Sequence, residues 1–150
     1  MRDTSFGSVF AVLGYGYQVL LLADFSARLW RPELELRWGW VLYTLMAVGG
    51  LAVGIGFVAR GAPVNLVIAP FLLALGAGFG LVVDTWLRIP WRQPPMLQVF
   101  IPYIVLYTVS LFGFLFPLWE MGWRLGLPYT VLFVVHTVLN ASSHFVGAEG

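Results

Sequence analysis

Five long apolar stretches divide the chain, and its charged residues lie between them or at their very ends. The stretches are Ser8–Ala27, Trp38–Ala59, Pro63–Asp84, Gln98–Trp119 and Leu127–Phe145. Each is about the 20 mostly apolar residues that a spanning helix needs. None alternates with period two over a barrel-strand length, and backbone groups in lipid must bond within their own segment. The pattern predicts an all-α integral membrane bundle of five transmembrane helices, a single transmembrane domain over 1–150. The fifth stretch is the most polar, diluted by His136, Asn140, Ser142, Ser143 and His144. The first follows Met1-Arg2-Asp3 as a signal peptide would, but it ends in Ala23-Asp24-Phe25-Ser26-Ala27-Arg28, a poor cleavage site, and reads as a retained helix.

The links are short: Arg28–Arg37, Arg60–Ala62, about Thr85–Leu97 and about Glu120–Gly126. Links of this length join antiparallel neighbours. The seven tryptophans, at 30, 38, 40, 86, 91, 119 and 123, flank the first, third and fourth links, where indoles settle at headgroup depth. The first and third links share a side and carry Arg28, Arg31, Arg37, Arg88 and Arg92, against Arg2, Arg60 and Arg124 on the other. That bias predicts cytoplasmic first and third links, an outside N-terminus and a cytoplasmic C-terminus in the cell membrane.

Composition agrees. Charged residues make up 10% of the chain and the mean hydropathy is +0.88, whereas soluble domains carry about 25% charged residues. A net charge of +1 offers no basic face and excludes nucleic acid as a partner. The absence of cysteine removes disulfides and thiolate chemistry. The expected partners are the bilayer and further membrane subunits or copies of the chain.

The two hairpins look alike. Asp24-x-x-x-Arg28-Leu-Trp30-Arg31-Pro32 is answered by Asp84-x-x-x-Arg88-Ile-Pro-Trp91-Arg92-Gln-Pro94. Val41-Leu42-Tyr43-Thr44 is answered by Val105-Leu106-Tyr107-Thr108, and Gly49 by Gly113. This predicts a parallel repeat, helices 1–2 and 3–4, with an axis along the membrane normal, a device of transporters.

Few side chains can carry chemistry. Asp24/Arg28, Asp84/Arg88 and Glu120/Arg124 are spaced i, i+4, which pairs them on one helix face. Interfacial charge neutralisation explains such pairs, and a gate or proton site is the sharper reading for Asp24 and Asp84. His136, Asn140 and His144 form one stripe on the fifth helix that must face the interior, a cavity or a partner. Interhelical bonding and a ligand or proton site at His136 both explain it. A metal site lacks converging ligands, and haem would need histidines closer than the about 12 Å between these two along one helix. No cofactor follows from the sequence. Tyr103 and Tyr107 lie on a helix that Pro102 and Pro117 should kink or unwind, which suits a binding cavity. Gly50-x-x-x-Gly54 and Gly76-x-x-x-Gly80 predict a close helix 2–3 contact.

Pro90-Trp91-Arg92-Gln93-Pro94-Pro95, then Val99-Phe100-Ile101-Pro102 and Leu106-Tyr107, resembles the first-loop signature of the translocator-protein family, which also has five helices. Here the motif lies between helices 3 and 4, not 1 and 2, and lacks the family's second tryptophan. The resemblance implies a binder of lipophilic ligands. The residues themselves favour a small transporter, or a non-catalytic subunit of a transport assembly. The alternatives are a binder of a sterol, isoprenoid, pigment or porphyrin, and a membrane enzyme acting on a lipidic substrate through His136.

Overall fold

The computed structural model describes residues 4–89 and 96–146, with side chains over 5–89 and 96–142. The Pro90–Pro95 motif, Arg2, and the side chains of Ser143 and His144 lie outside the described residues. The helices are α1 (Thr4–Trp30), α2 (Pro32–Ala59), α3 (Val64–Gly80), α4 (Leu97–Met121) and α5 (Trp123–Val146). A π-helical turn, Leu81–Trp86, continues α3 without a break. All five, α3 with its π-turn, are long and apolar enough to cross a membrane.

Two expected links are almost entirely helix. Residues 28–37 contain one non-helical position, Arg31 (φ −148°, ψ 63°), before Pro32 restarts the chain as α2. Proline suits the first helical turn because its fixed φ is already helical and its missing N–H is not needed there. Glu33 and Glu35 in the same turn complement the helix dipole. The expected link at 120–126 shrinks to Gly122, whose φ of 140° few other residues adopt. Charged residues end a lipid-buried stretch without ending a helix. At 28 residues α2 is about 42 Å long, so its first turns stand beyond a hydrocarbon core of about 30 Å.

Neighbours in sequence are neighbours in space. α1 packs on α2, α2 on α3, α3 on α4, α4 on α5, and α5 closes the ring on α1. The polarity is inverted relative to a protein in water. Gln18 (0% exposed), Asp24 (2%), Ser110 (1%) and His136 (0%) are inside, while Val12 (74%) and Phe116 (63%) point out. Lipid stabilises that arrangement and water does not. Phe10, Phe25, Leu73, Leu111, Phe114 and Tyr129 fill the centre.

Gly50 makes the α2–α3 contact the sequence predicts: a Cβ there would lie 2.6 Å from the Pro70 carbonyl oxygen. Gly80 admits the Tyr43 ring, which a Cβ would meet at 2.7 Å. Gly76 does something else, for it faces Leu106 of α4. α4 runs unbroken through Pro102 and Pro117, so neither proline unwinds it.

Candidate functional site

Polar side chains from three helices, α1, α2 and α3 with its π-turn, meet at the end of the bundle where α1 passes into α2. Asp24 and Arg28 are one turn apart on α1, and their ion pair is 2.8 Å long. Arg28 reaches from there to Glu35 in the first turn of α2, at 3.4 Å. The same Nη2 that pairs with Asp24 donates to the Tyr43 hydroxyl at 2.9 Å. The Tyr43 hydroxyl in turn donates to Asp84 Oδ2 at 3.3 Å. Asp24 and Asp84, the two carboxylates singled out in the sequence, thus belong to one network through Arg28 and Tyr43. They are not alike within it. Asp24 is 2% exposed and Asp84, on the π-turn, is partly open.

The other two expected acid–arginine pairs do not close. The helix ends at Trp86, and Arg88 turns outward with φ 49° instead of staying on the face of Asp84. The break at Gly122 separates Glu120 from Arg124, so Glu120 accepts from Asn65 and Arg124 lies over Trp123. The i, i+4 geometry needs unbroken helix between the partners, and only α1 supplies it.

A cleft of about 610 Å³ opens beside this network, lined by Glu35, Arg37, Trp40, Tyr43, Asp84 and Arg88 among others. On the other side of Tyr43 is a cavity of about 20 Å³, among whose lining residues are Tyr17, Tyr43, Tyr103 and Tyr107. That volume holds about one water molecule. Tyr43 borders both spaces and is the partition between them. Tyr103 stacks on Tyr107, with ring centroids 6.3 Å apart. Tyr17 meets Ser110 of α4 at 3.1 Å.

His136 is deeper, boxed by Phe25 of α1 (6.2 Å between centroids), Tyr107 of α4 (5.8 Å) and Phe133 of its own helix (5.5 Å). Phe25 also carries Arg28 over its face at 5.4 Å, so the box adjoins the ion-pair network. Neither imidazole nitrogen makes a well-formed hydrogen bond, though the Leu132 backbone is beside the ring, and the Tyr107 hydroxyl has only a loose contact with Thr137. Asn140, one turn further along α5, is also buried. Among the described residues no three histidine or acidic side chains converge as metal ligands.

The structure therefore places Asp84, Tyr103 and Tyr107 on the walls of the two spaces, joins Asp24 to them through Arg28, and sets His136 against Tyr107 with Asn140 one turn on. Sequence reasoning missed Tyr43 as the link, Glu35 as the second carboxylate on Arg28, and Gln18. The signal for Gln18 was present: it is a lone amide within an apolar run, and such residues face the interior.

The fold defines a helical protein built for multiple membrane crossings. Comparison with protein-family models, with curated proteins and with solved structures finds no match.

Proposed function

We propose that the chain is a small membrane transporter, or the transporting subunit of a larger assembly, and that it admits a small polar or charged species through the cleft at Glu35, Arg37 and Asp84. The observation that carries this reading is the charged cleft whose inner wall is Tyr43, held between Arg28 and Asp84. A protein that only spans the bilayer gains little from a buried carboxylate and guanidinium, whose desolvation is expensive even when they are paired. A polar cleft at a membrane end, with a small cavity bordered by tyrosines behind Tyr43, suits passage. Storage of a sterol, isoprenoid or porphyrin needs a large apolar pocket, and the central cavity is too small by an order of magnitude.

A repeat of the two hairpins agrees with this reading. Tyr43 and Tyr107, its matched tyrosines, both line the central cavity. Gly49 lies against Leu13 of α1 and Gly113 against Ala69 of α3, so each matched glycine touches the first helix of its own hairpin.

Proteoliposomes adsorbed on a capacitive sensor test the proposal. They are challenged with concentration jumps of sodium, potassium, chloride, phosphate, amino acids and protons. At least one jump should move charge, and Asp84→Asn should abolish the signal while the protein still melts cooperatively. Silence to every jump overturns the proposal in favour of a structural subunit.

A further inference from the structure

The central cavity, the partition at Tyr43 and the polar groups beyond it fit together as one path. The Tyr107 hydroxyl and both His136 ring nitrogens are buried and make no well-formed hydrogen bond, their polar neighbours in the protein being the Thr137 side chain and the Leu132 backbone. Inside a membrane each such atom is unfavourable by several kcal/mol unless something bonds it. Buried polar groups in folded proteins are nearly always satisfied, by water when protein atoms do not serve. The cavity lined by Tyr107 and Tyr43 has the room and the hydroxyls for one water molecule. From the cleft, the order is Asp84, the Tyr43 hydroxyl at 3.3 Å, the cavity, Tyr107, and the His136 ring 5.8 Å from that of Tyr107.

We propose that this series is a hydrated proton path, with Tyr43 as its gate and His136 as its inner proton acceptor. The inference rests on the transport reading and names the proton as a species that enters the site. A proton arriving on the Asp84 carboxylate passes to the Tyr43 oxygen as the Tyr43 proton passes to cavity water. The water hands a proton to the Tyr107 oxygen as the Tyr107 proton leaves for His136, and that last transfer forms an N–H bond on imidazole. At each link one bond to hydrogen forms as another breaks, and no electron changes owner. Imidazole suits the terminus because its ring nitrogens can both accept and release a proton.

Every element packed on His136 bears on its charge. α1 presents Phe25, and the charged residues flanking that ring, Asp24 and Arg28, are engaged with each other. α4 presents Tyr107, and α5 itself presents Phe133, with Asn140 one turn on. No fixed charge among these ring contacts opposes an added proton. Tyr43 is suited to gating because its hydroxyl is held by Arg28 and Asp84 while its ring closes against Gly80. Asp84 is on a π-turn, a geometry frequent at functional sites.

The test is imidazole nitrogen NMR on the full chain carrying His144→Gln, so that His136 gives the only histidine signals. The expected result is protonation of the ring as the pH is lowered and exchange of the ring proton with bulk water. Tyr43→Phe should slow that exchange about tenfold or more, which is about 1.4 kcal/mol added to the barrier. A fixed neutral tautomer that neither titrates nor exchanges would overturn the path. So would exchange unaltered by Tyr43→Phe, which would place the entry elsewhere. Because Tyr43→Phe could loosen the bundle, His136 signals are also read in Gly56→Ala, a change into open space that should leave exchange unaltered. Proton jumps that move charge while His136 stays inert refute this inference and leave the transport reading standing. A titrating, exchanging His136 without charge movement refutes transport and leaves the path.

Discussion

Replacing Arg28 by leucine removes a cation that Asp24, Glu35 and Tyr43 share. Its consequence depends on depth. An exposed i, i+4 pair contributes about 0–1 kcal/mol. Here the Asp24 side chain is 3% exposed and that of Arg28 10%, so the pair is nearly out of solvent. Removing one member of a buried pair costs about 3–5 kcal/mol, because the other charge is left uncompensated. Arg28→Leu should therefore destabilise the bundle by about 3–5 kcal/mol. Asp24→Leu removes the carboxylate but leaves Arg28 with Glu35 and Tyr43, and should cost less. The double variant should cost clearly less than the sum of the singles, since neither charge is then orphaned. Unfolding of purified protein in mixed mild-detergent and SDS micelles, followed by near-ultraviolet circular dichroism, gives all three values. A loss below about 1 kcal/mol for Arg28→Leu, additive with Asp24→Leu, would refute the reasoning and make this end of the bundle a hydrated surface.

Three further outcomes follow from the geometry. Gly50→Ala should destabilise by about 1–3 kcal/mol, because the new methyl meets backbone atoms of Pro70 and Ala74 that cannot step aside, whereas Gly56→Ala should be neutral or mildly stabilising; the same micelle titration compares them. Tyr43→Phe keeps the ring against Gly80 and removes only the hydroxyl between Arg28 and Asp84, so its stability loss should be about 1–2 kcal/mol, measured in that titration, and far smaller than that of Arg28→Leu. Reporter fusions should place the N-terminus outside and the C-terminus in the cytoplasm, as the arginine bias requires, and both termini on one side would remove α5 as a crossing.

The five helices were legible because length and hydropathy answer one question, whether a segment can sit in lipid. They do not mark where a helix ends. Residues 32–37 are polar enough to read as a link and are helix nonetheless, because Pro32 starts a helix well and nothing before Gly61 stops it. The same gap explains the acid–arginine pairs. Spacing alone could not separate Asp24/Arg28, on continuous helix, from Glu120/Arg124, divided by Gly122. Asp24, Asp84, Tyr103, Tyr107, His136 and Asn140 could be picked as polar groups that lipid would reject. Their assembly through Tyr43 could not, because a tyrosine at that depth looks like ordinary packing until Gly80 is seen to make room for it. Gly76 shows the converse: a small-residue spacing shared with Gly80 named the wrong neighbour, since the two glycines serve different helices.

Ring closure gives the chain an order of assembly. Each of α2, α3, α4 and α5 packs on the helix synthesised just before it, so most of the bundle can form as segments leave the insertion machinery. The seam between α1 and α5 is the exception, for it joins the first helix made to the last. Until α5 docks, Tyr15 lacks the carbonyl that its hydroxyl bonds, and Phe25 packs on Tyr107 of α4 without His136. The Tyr15 hydroxyl then bonds the Leu125 carbonyl at 2.6 Å, and Phe25 meets His136. Synthesis halted before Trp123 therefore leaves a four-helix intermediate with the α5-facing side of α1 turned to lipid. Completion of the last helix therefore pairs the Tyr15 hydroxyl, and a chain lacking α5 leaves that polar group turned toward lipid.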